Sequence, residues 1–409
     1  MVYEYRYQPM KGIYLMYQLL TFPLRVPYWV LVSIPRSLRG KRSWTFTQAL
    51  IVRLVNFIGP TGPVWSKVGA LIAEPDHRAI VDSSDFKGVW IDPVRDLIVD
   101  EIKNFAETAH VNPIRIPGYW VHQAGLNGPA DKAPLPGEKV IYGLHGGAYF
   151  VGSAASKIGA FNIYKAMMQH HPGIRSSFAI EYRLCVGPPY APSASFPAAL
   201  IDALAGYNYL VNVVGYRPAD IVIVGDSAGG NLALALTRYL VEKRDTLFET
   251  QLPLPAGYLI LCSPLTDLSY SHYKPGSSVA FEAWDLIPDP RRNASFQYAT
   301  DAFLGPHGRT AAETSRYISP ACLLPSMEAA SFKGFPKTFI CSGSAETLLD
   351  QIRTLKDRMV DDMGEGDGAG QVVYYEAVDA VHNYLTIRLW EPERSETLRR
   401  IANWLSSVN

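Results

Sequence analysis

Cysteine is scarce in this 409-residue chain, with four in all. Cys185, Cys262, Cys322 and Cys341 form no C-x-x-C pair and stand in no histidine-rich cluster. That argues against a structural zinc site and against a small secreted scaffold built on disulfides. Charge is also sparse. Only 19% of residues are charged, and 38 basic residues balance 38 acidic ones. A neutral chain offers no electrostatic case for nucleic-acid binding. Acid is nearly missing from one end: residues 1–73 hold nine Lys or Arg and one acid, Glu4, so the remainder carries a net −8. No internal repeat is visible.

Apolar residues make up 48% of the chain, enough for a sizeable core. Residues 12–35 are apolar and aromatic and long enough to span a bilayer. Arg25 interrupts them, however, and Pro23 and Pro27 are expected to break the helical pattern. No small-residue cleavage site follows, unlike a signal peptide. Arg36, Arg39, Lys41 and Arg42 come next. An apolar stretch followed by a basic cluster suits a segment lying on a membrane with anionic lipid. The competing reading is an arm packed on the protein's own core or capping its pocket.

Residues 1 to about 110 read as mainly helical and irregular, forming an arm or cap. Residues 111–409 read as an α/β catalytic domain. There, short apolar strands (119–122, 140–144, 178–182, 221–224, 258–262, 338–342 and 372–376) alternate with helical stretches (157–170, 197–213, 228–243 and 347–363). Such alternation implies a mostly parallel sheet covered on both faces. Residues 268–318 break the rhythm and read as a cap-like insertion. Residues 364–370 are glycine-rich and read as a loop. A single N-x-S triplet, Asn293-Ala294-Ser295, is of a kind that arises often by chance.

The strand at 221–224 runs into Gly225-Asp226-Ser227-Ala228-Gly229-Gly230 and then a helix. This is G-x-S-x-G in strand–turn–helix context, which presents Ser227 as a nucleophile above the sheet. Gly225 and Gly229 are expected to be required because side chains there would collide with neighbouring backbone. About eighty residues earlier, the strand at 140–144 enters His145-Gly146-Gly147-Ala148-Tyr149. That loop is the candidate oxyanion hole, with N–H groups from Gly146, Gly147 and Ala148, joined by Ala228 across the site. His145 is expected to hold the loop by hydrogen bonding rather than act as a base. Only His272, His307 and His382 follow Ser227, and the first two fall in the insertion. His382 follows the last strand, where the general base belongs. Glu346, just after the strand at 338–342, is the preferred acid; Asp350 and Asp379 are the alternatives.

Together these motifs resemble the hormone-sensitive-lipase-like esterases, a branch of the α/β-hydrolase superfamily. The marks are HGGAY at 145–149, EYRL at 181–184, FPAALIDA at 196–203, GDSAGG at 225–230 and SPLTDLS at 263–269, over residues 139–404. The resemblance implies acyl-enzyme hydrolysis of carboxylic esters by Ser227, Glu346 and His382, without metal or organic cofactor. Three departures stand out. Ala148 replaces a third glycine. Glu346-Thr347 stands where Asp-Pro is usual. The YRLAPE box has become Tyr182-Arg183-Leu184-Cys185-Val186-Gly187. The basic, apolar N-terminal part is loosely similar to that of membrane-associated steryl acetyl hydrolases. This implies a short-acyl ester of a bulky lipophilic alcohol as substrate. It also implies an intracellular place at an endoplasmic-reticulum-like membrane, with a soluble cytoplasmic enzyme as the alternative. An acyltransferase using the same serine, and a non-catalytic ligand-binding member like the gibberellin receptors, are the rival functions. Oligomeric state is left open.

Overall fold

The computed structural model describes residues 8–58, 76–81, 83–123, 134–135, 137–245, 252–281, 283–287, 289, 291, 293–327, 330–366 and 371–407. Its centre is an eight-stranded sheet: β1 (Lys87–Ile91), β2 (Ile116–His122), β3 (Lys139–Leu144), β4 (Ile174–Ile180), β5 (Ile221–Asp226), β6 (Tyr258–Cys262), β7 (Lys337–Gly343) and β8 (Val372–Ala377). The spatial order is β1-β2-β4-β3-β5-β6-β7-β8. β2 runs antiparallel to β1 and β4, and the remaining pairs are parallel. The helices are α1 (Met10–Ser33), α2 (Phe46–Ile58), α3 (Asp100–Thr108), α4 (Ala160–His170), α5 (Ala198–Asn208), α6 (Ala228–Lys243), α7 (Ala294–Leu304), α8 (Gly308–Thr314), α9 (Leu349–Met363) and α10 (Glu393–Ser407).

The central strands are continuously apolar because both their faces are covered. Ile221 and Ile223 of β5 join one core with α5, α6 and α9, while Val222 and Val224 join the opposite core with α4 and α10. β6 divides in the same way, with Leu259 and Leu261 on one side and Ile260 and Cys262 on the other. Each such buried aliphatic side chain contributes roughly 1.5–3 kcal/mol. All four cysteines are buried free thiols.

Two expectations are corrected. The described residues among the first 110 are mainly helical and irregular, but they are not all outside the sheet, because β1 pairs with β2 and starts it. Its five residues, KGVWI, sit at a partly exposed edge and lack the long apolar run that marks the inner strands. Nor do Pro23 and Pro27 break α1, which runs on for 24 residues. The carbonyls these prolines leave unpaired, those of Leu19 and Pro23, belong to exposed residues. Among the described residues, no helix is long and apolar enough to cross a membrane. The glycine-rich loop is described only through Gly366, and its residues 367–370 lie outside the described part.

Within the insertion, Asn293 caps α7, its side-chain oxygen accepting from the Ser295 and Phe296 N–H groups. Its side chain is buried, so the N-x-S triplet serves as a helix start.

Candidate active site

β5 carries Ser227 directly to the N-terminus of α6. The turn puts Ser227 at φ 52, ψ −118, a strained conformation for a residue with a side chain. The two glycines make this turn physically feasible. A Cβ on Gly225 would lie 2.2 Å from the Gly229 carbonyl oxygen, and one on Gly229 would lie 2.1 Å from that of Leu144. The Ser227 N–H donates to Cys262 O at 3.0 Å, and its carbonyl accepts from Leu265 N–H at 2.9 Å. The hydroxyl is left for the site.

His382 lies in the loop after β8, with Nε2 at 2.9 Å from Ser227 Oγ and Nδ1 at 2.8 Å from Glu346 Oε2. Glu346 lies just beyond β7. The structure therefore brings together the three residues expected from the sequence, 155 and 36 positions apart. The other candidate carboxylates are engaged elsewhere. Asp350 accepts from Ser278 N–H at 2.8 Å, and Asp379 from Ser43 Oγ at 2.7 Å. His272 lies between Asp267 and Thr354, and His307 faces Phe196 O.

Burial sets the electrostatics. It pushes the Glu346 carboxyl up to about 8, opposed by donation from Gly343 N–H (2.6 Å) and Ser263 Oγ (3.2 Å). Those two donors favour the ionised carboxylate, which in turn fixes the Nδ1–H form of His382. Burial also holds the His382 imidazole below its usual range, with Asp285 and Asp226 pulling the other way.

The loop after β3 faces Ser227 but corrects one residue. The Gly146 N–H donates to Asp226 Oδ1 at 2.9 Å, so it is committed to holding the loop and is not available to an oxyanion. Asp226 also accepts from Asn383 Nδ2 at 2.8 Å, joining the loop to the neighbour of His382. Burial raises the Asp226 carboxyl to about 6. Gly147, Ala148 and Ala228 N–H groups donate to no partner among the described residues. Ala148 and Tyr149 both hold positive φ, 50° and 63°. The strain is held by Tyr149, whose hydroxyl donates to Asn231 Oδ1 at 2.8 Å and whose ring stacks on Phe303 at 4.1 Å. His145 is a loop holder. Its Nδ1 lies 2.7 Å from Gly146 O, its ring stacks on Tyr182 at 4.2 Å, and burial lowers its pKa to about 4.

Beside Ala148 is an apolar pocket walled by Tyr149, Leu265, Tyr273, Phe296 and Phe303. It encloses about 20 Å3, room for about one water-sized group.

Sequence reasoning singled out neither Asp226 as a loop anchor nor Ser263, and it missed Asp285 entirely. Asp226 and Ser263 stood inside quoted motifs. Asp285 stood in the irregular insertion with no local signal.

A family model described as the α/β-hydrolase fold matches residues 140–386. An "Esterase" of Acinetobacter venetianus is 28% identical over 74% of this chain and 84% of its own length. An "Acetyl-hydrolase" of Streptomyces hygroscopicus is 30% identical over 54% of this chain and 61% of its own. A solved structure described as a hormone-sensitive lipase from a metagenome library superposes with a TM-score of 0.58 at 21% identity, covering 88% of this chain and 99% of that one. With its sheet order, its serine turn and a family match over more than half its length, this chain belongs to the α/β-hydrolase fold family.

Proposed function

We propose that the protein is a serine carboxylic-ester hydrolase working through an acyl-enzyme. The observation that carries this is the continuous hydrogen-bonded path from Ser227 through His382 to Glu346. His382 takes the Ser227 proton as the hydroxyl attacks the ester carbonyl. The N–H groups of Gly147, Ala148 and Ala228 stabilise the oxyanion, each such donor being worth roughly 3–4 kcal/mol. His382 then protonates the leaving alcohol, and water releases the acyl group by the reverse route. The esterase and acetyl-hydrolase relatives support the reaction class.

The substrate is a short-acyl ester, acetyl above all, of a bulky lipophilic alcohol. The small pocket beside Ala148 supports the short acyl group. α1 supports the lipophilic alcohol and a place on a membrane surface. Ile13, Met16, Tyr17, Leu20 and Leu24 form an exposed apolar stripe at three- and four-residue spacing, and exposed Leu31 follows two turns on. The basic cluster contributes less than the sequence suggested. The Arg39 guanidinium donates to Ser33 O and Ile34 O, and Lys41 pairs with Asp379. Arg36 and Arg42 are left exposed toward anionic lipid.

The test is hydrolysis of p-nitrophenyl acetate, butyrate and longer esters by the wild type and by Ser227→Ala. Acetate is expected to be preferred, and the variant to be inactive. A clear preference for long chains defeats the short-acyl assignment; retained activity in the variant defeats the serine mechanism. Adding an alcohol and analysing the products separates hydrolysis from acyl transfer.

A further inference from the structure

Close to the catalytic loops lies a buried carboxylate that the mechanism above does not use. Asp285 belongs to the insertion and is fully buried. Its Oδ1 accepts from the His382 backbone N–H at 2.7 Å and from Leu286 N–H at 2.8 Å. Its Oδ2 accepts from Thr347 N–H at 2.7 Å. Thr347 directly follows Glu346. One side chain therefore ties the backbone of the base to the backbone beside the acid, across 97 and 62 positions of sequence.

The surroundings make this tie stiff. Thr347 Oγ1 donates to Ile287 O at 2.6 Å, and Ser278 Oγ donates to Thr347 O at 2.7 Å. From the other side, the segment between α1 and α2 backs the insertion. The Trp284 ring lies so close over Gly40 that a Cβ there would come within 2.4 Å of it. The Arg53 guanidinium sits 5.7 Å from the same ring. That segment also grips the loop bearing His382, with Trp44 Nε1 donating to Asp379 O and Ser43 Oγ to Asp379 Oδ2, both at 2.7 Å.

We propose that Asp285 is a positioning residue for the reaction: it fixes the His382 and Glu346 loops in register, and its charge favours the imidazolium formed as Ser227 gives up its proton. The inference rests on the Ser227–His382–Glu346 reading. It also gives a physical reason for the Glu346-Thr347 departure. A proline at 347 has no N–H to give to Asp285. A buried carboxylate is tolerated where its oxygens are satisfied, and three N–H donors satisfy this one.

The charged and titratable groups facing His382 are Glu346 from the loop after β7, Asp226 from the end of β5, and Asp285 from the insertion; Glu376 of β8 acts on Glu346. Burial raises the Asp285 carboxyl itself to about 6, so it carries its charge above that pH. Removing that charge leaves the imidazolium less favoured there, so the base loses its proton at lower pH. In the full-length Asp285→Asn variant, kcat for p-nitrophenyl acetate is expected to fall ~10–100-fold, as misplacement of catalytic groups does. KM should change little, and the acid limb of kcat/KM should move to lower pH. Ser278→Ala removes an uncharged fastening of the same loop and should leave the acid limb in place. A folded Asp285→Asn enzyme with wild-type kcat, or with lowered kcat and an unmoved acid limb, overturns the proposal. If Asp285→Asn does not fold, Thr347→Pro removes one N–H while keeping the Asp285 charge. It should lower kcat without moving the acid limb, and wild-type kcat there overturns the clamp. Ser227→Ala separates the two claims: activity surviving in that variant sinks the esterase reading itself, whatever Asp285 does.

Discussion

The turn at 225–230 and the insertion around 285 both shape the same active site, by opposite means. At the turn, six consecutive residues supply the proposed nucleophile, the anchor for the loop after β3 and the glycines that let backbones meet. The steric demand is local, so the chemistry is written in adjacent letters. At the insertion, Asp285 acts through hydrogen bonds to residues 62 and 97 positions away, and nothing beside it signals this. The comparison teaches that chemistry is carried by short motifs, while alignment of the reacting groups is carried by single polar side chains in irregular chain.

The sharpest way to break that comparison is to set variants of the two regions side by side. Ser227→Ala should lower kcat by roughly 10^4-fold or more, the scale expected for a missing nucleophile. Asp285→Asn should fall well short of that while moving the pH profile, which Ser227→Ala has no means to do. Equal, total losses would mean that the insertion is needed to form the site at all, and the division between chemistry and alignment would disappear.

The next effect is smaller and concerns Ser263, which lies in a quoted motif but acts as a support. Ser263→Ala removes one of the donors that oppose the upward push on Glu346. The Glu346 carboxyl should then hold its proton to higher pH, so activity lost on acidification should be lost earlier. A charge-directed hydrogen bond is worth about 1.5–3 kcal/mol, so the rate at neutral pH should drop ~10–100-fold and recover partly in alkali. In the wild type, the His382 base is held below its ordinary value of about 6.5, so its own limb should lie under that pH. A kcat/KM profile for both proteins tests this. Parallel profiles would mean that Ser263 does not govern the ionisation of Glu346.

Ala148 tests how far the pocket follows from the loop. It holds φ 50°, where a side chain costs roughly 1–2 kcal/mol, and it lines the pocket. Ala148→Gly should relieve strain, and it should raise the butyrate-to-acetate activity ratio several-fold. One methylene in an apolar pocket is worth about 1–3 kcal/mol. An unchanged ratio would place the limit on acyl length elsewhere.

What the sequence made legible follows the same line. The inner strands were readable because burial on both faces forces continuous apolar runs, as in IVIVGD at 221–226. β1 was not, since an edge strand paired on one side needs no such run. Gly146 looked like an oxyanion donor because it sits in the motif. Only the position of the Asp226 carboxylate, eighty residues on, shows that its N–H is committed. The prolines of α1 suggested a break, yet an exposed helix loses little from unpaired carbonyls that reach water.

α1 provides the last comparison, since its variants should leave turnover of a soluble ester untouched. Leu20 and Leu24 are 69% and 76% exposed on the apolar stripe. Burying a leucine in an apolar phase gains roughly 1.5–3 kcal/mol, so Leu20→Glu with Leu24→Glu should weaken vesicle binding ~100-fold or more. Arg36→Gln with Arg42→Gln should weaken it less, by about 1 kcal/mol per charge, and only on anionic vesicles. Co-flotation with phosphatidylcholine vesicles, with and without phosphatidylserine, measures both. Hydrolysis of p-nitrophenyl acetate in the same samples should match the wild type. If the glutamate pair binds vesicles as well as the wild type does, the stripe is not a lipid contact, and the arm's role is then confined to the segment after α1 that braces Trp284. If binding and soluble turnover fall together, the arm's hold on the Asp379 loop reaches the catalytic base, and arm and insertion act as one support.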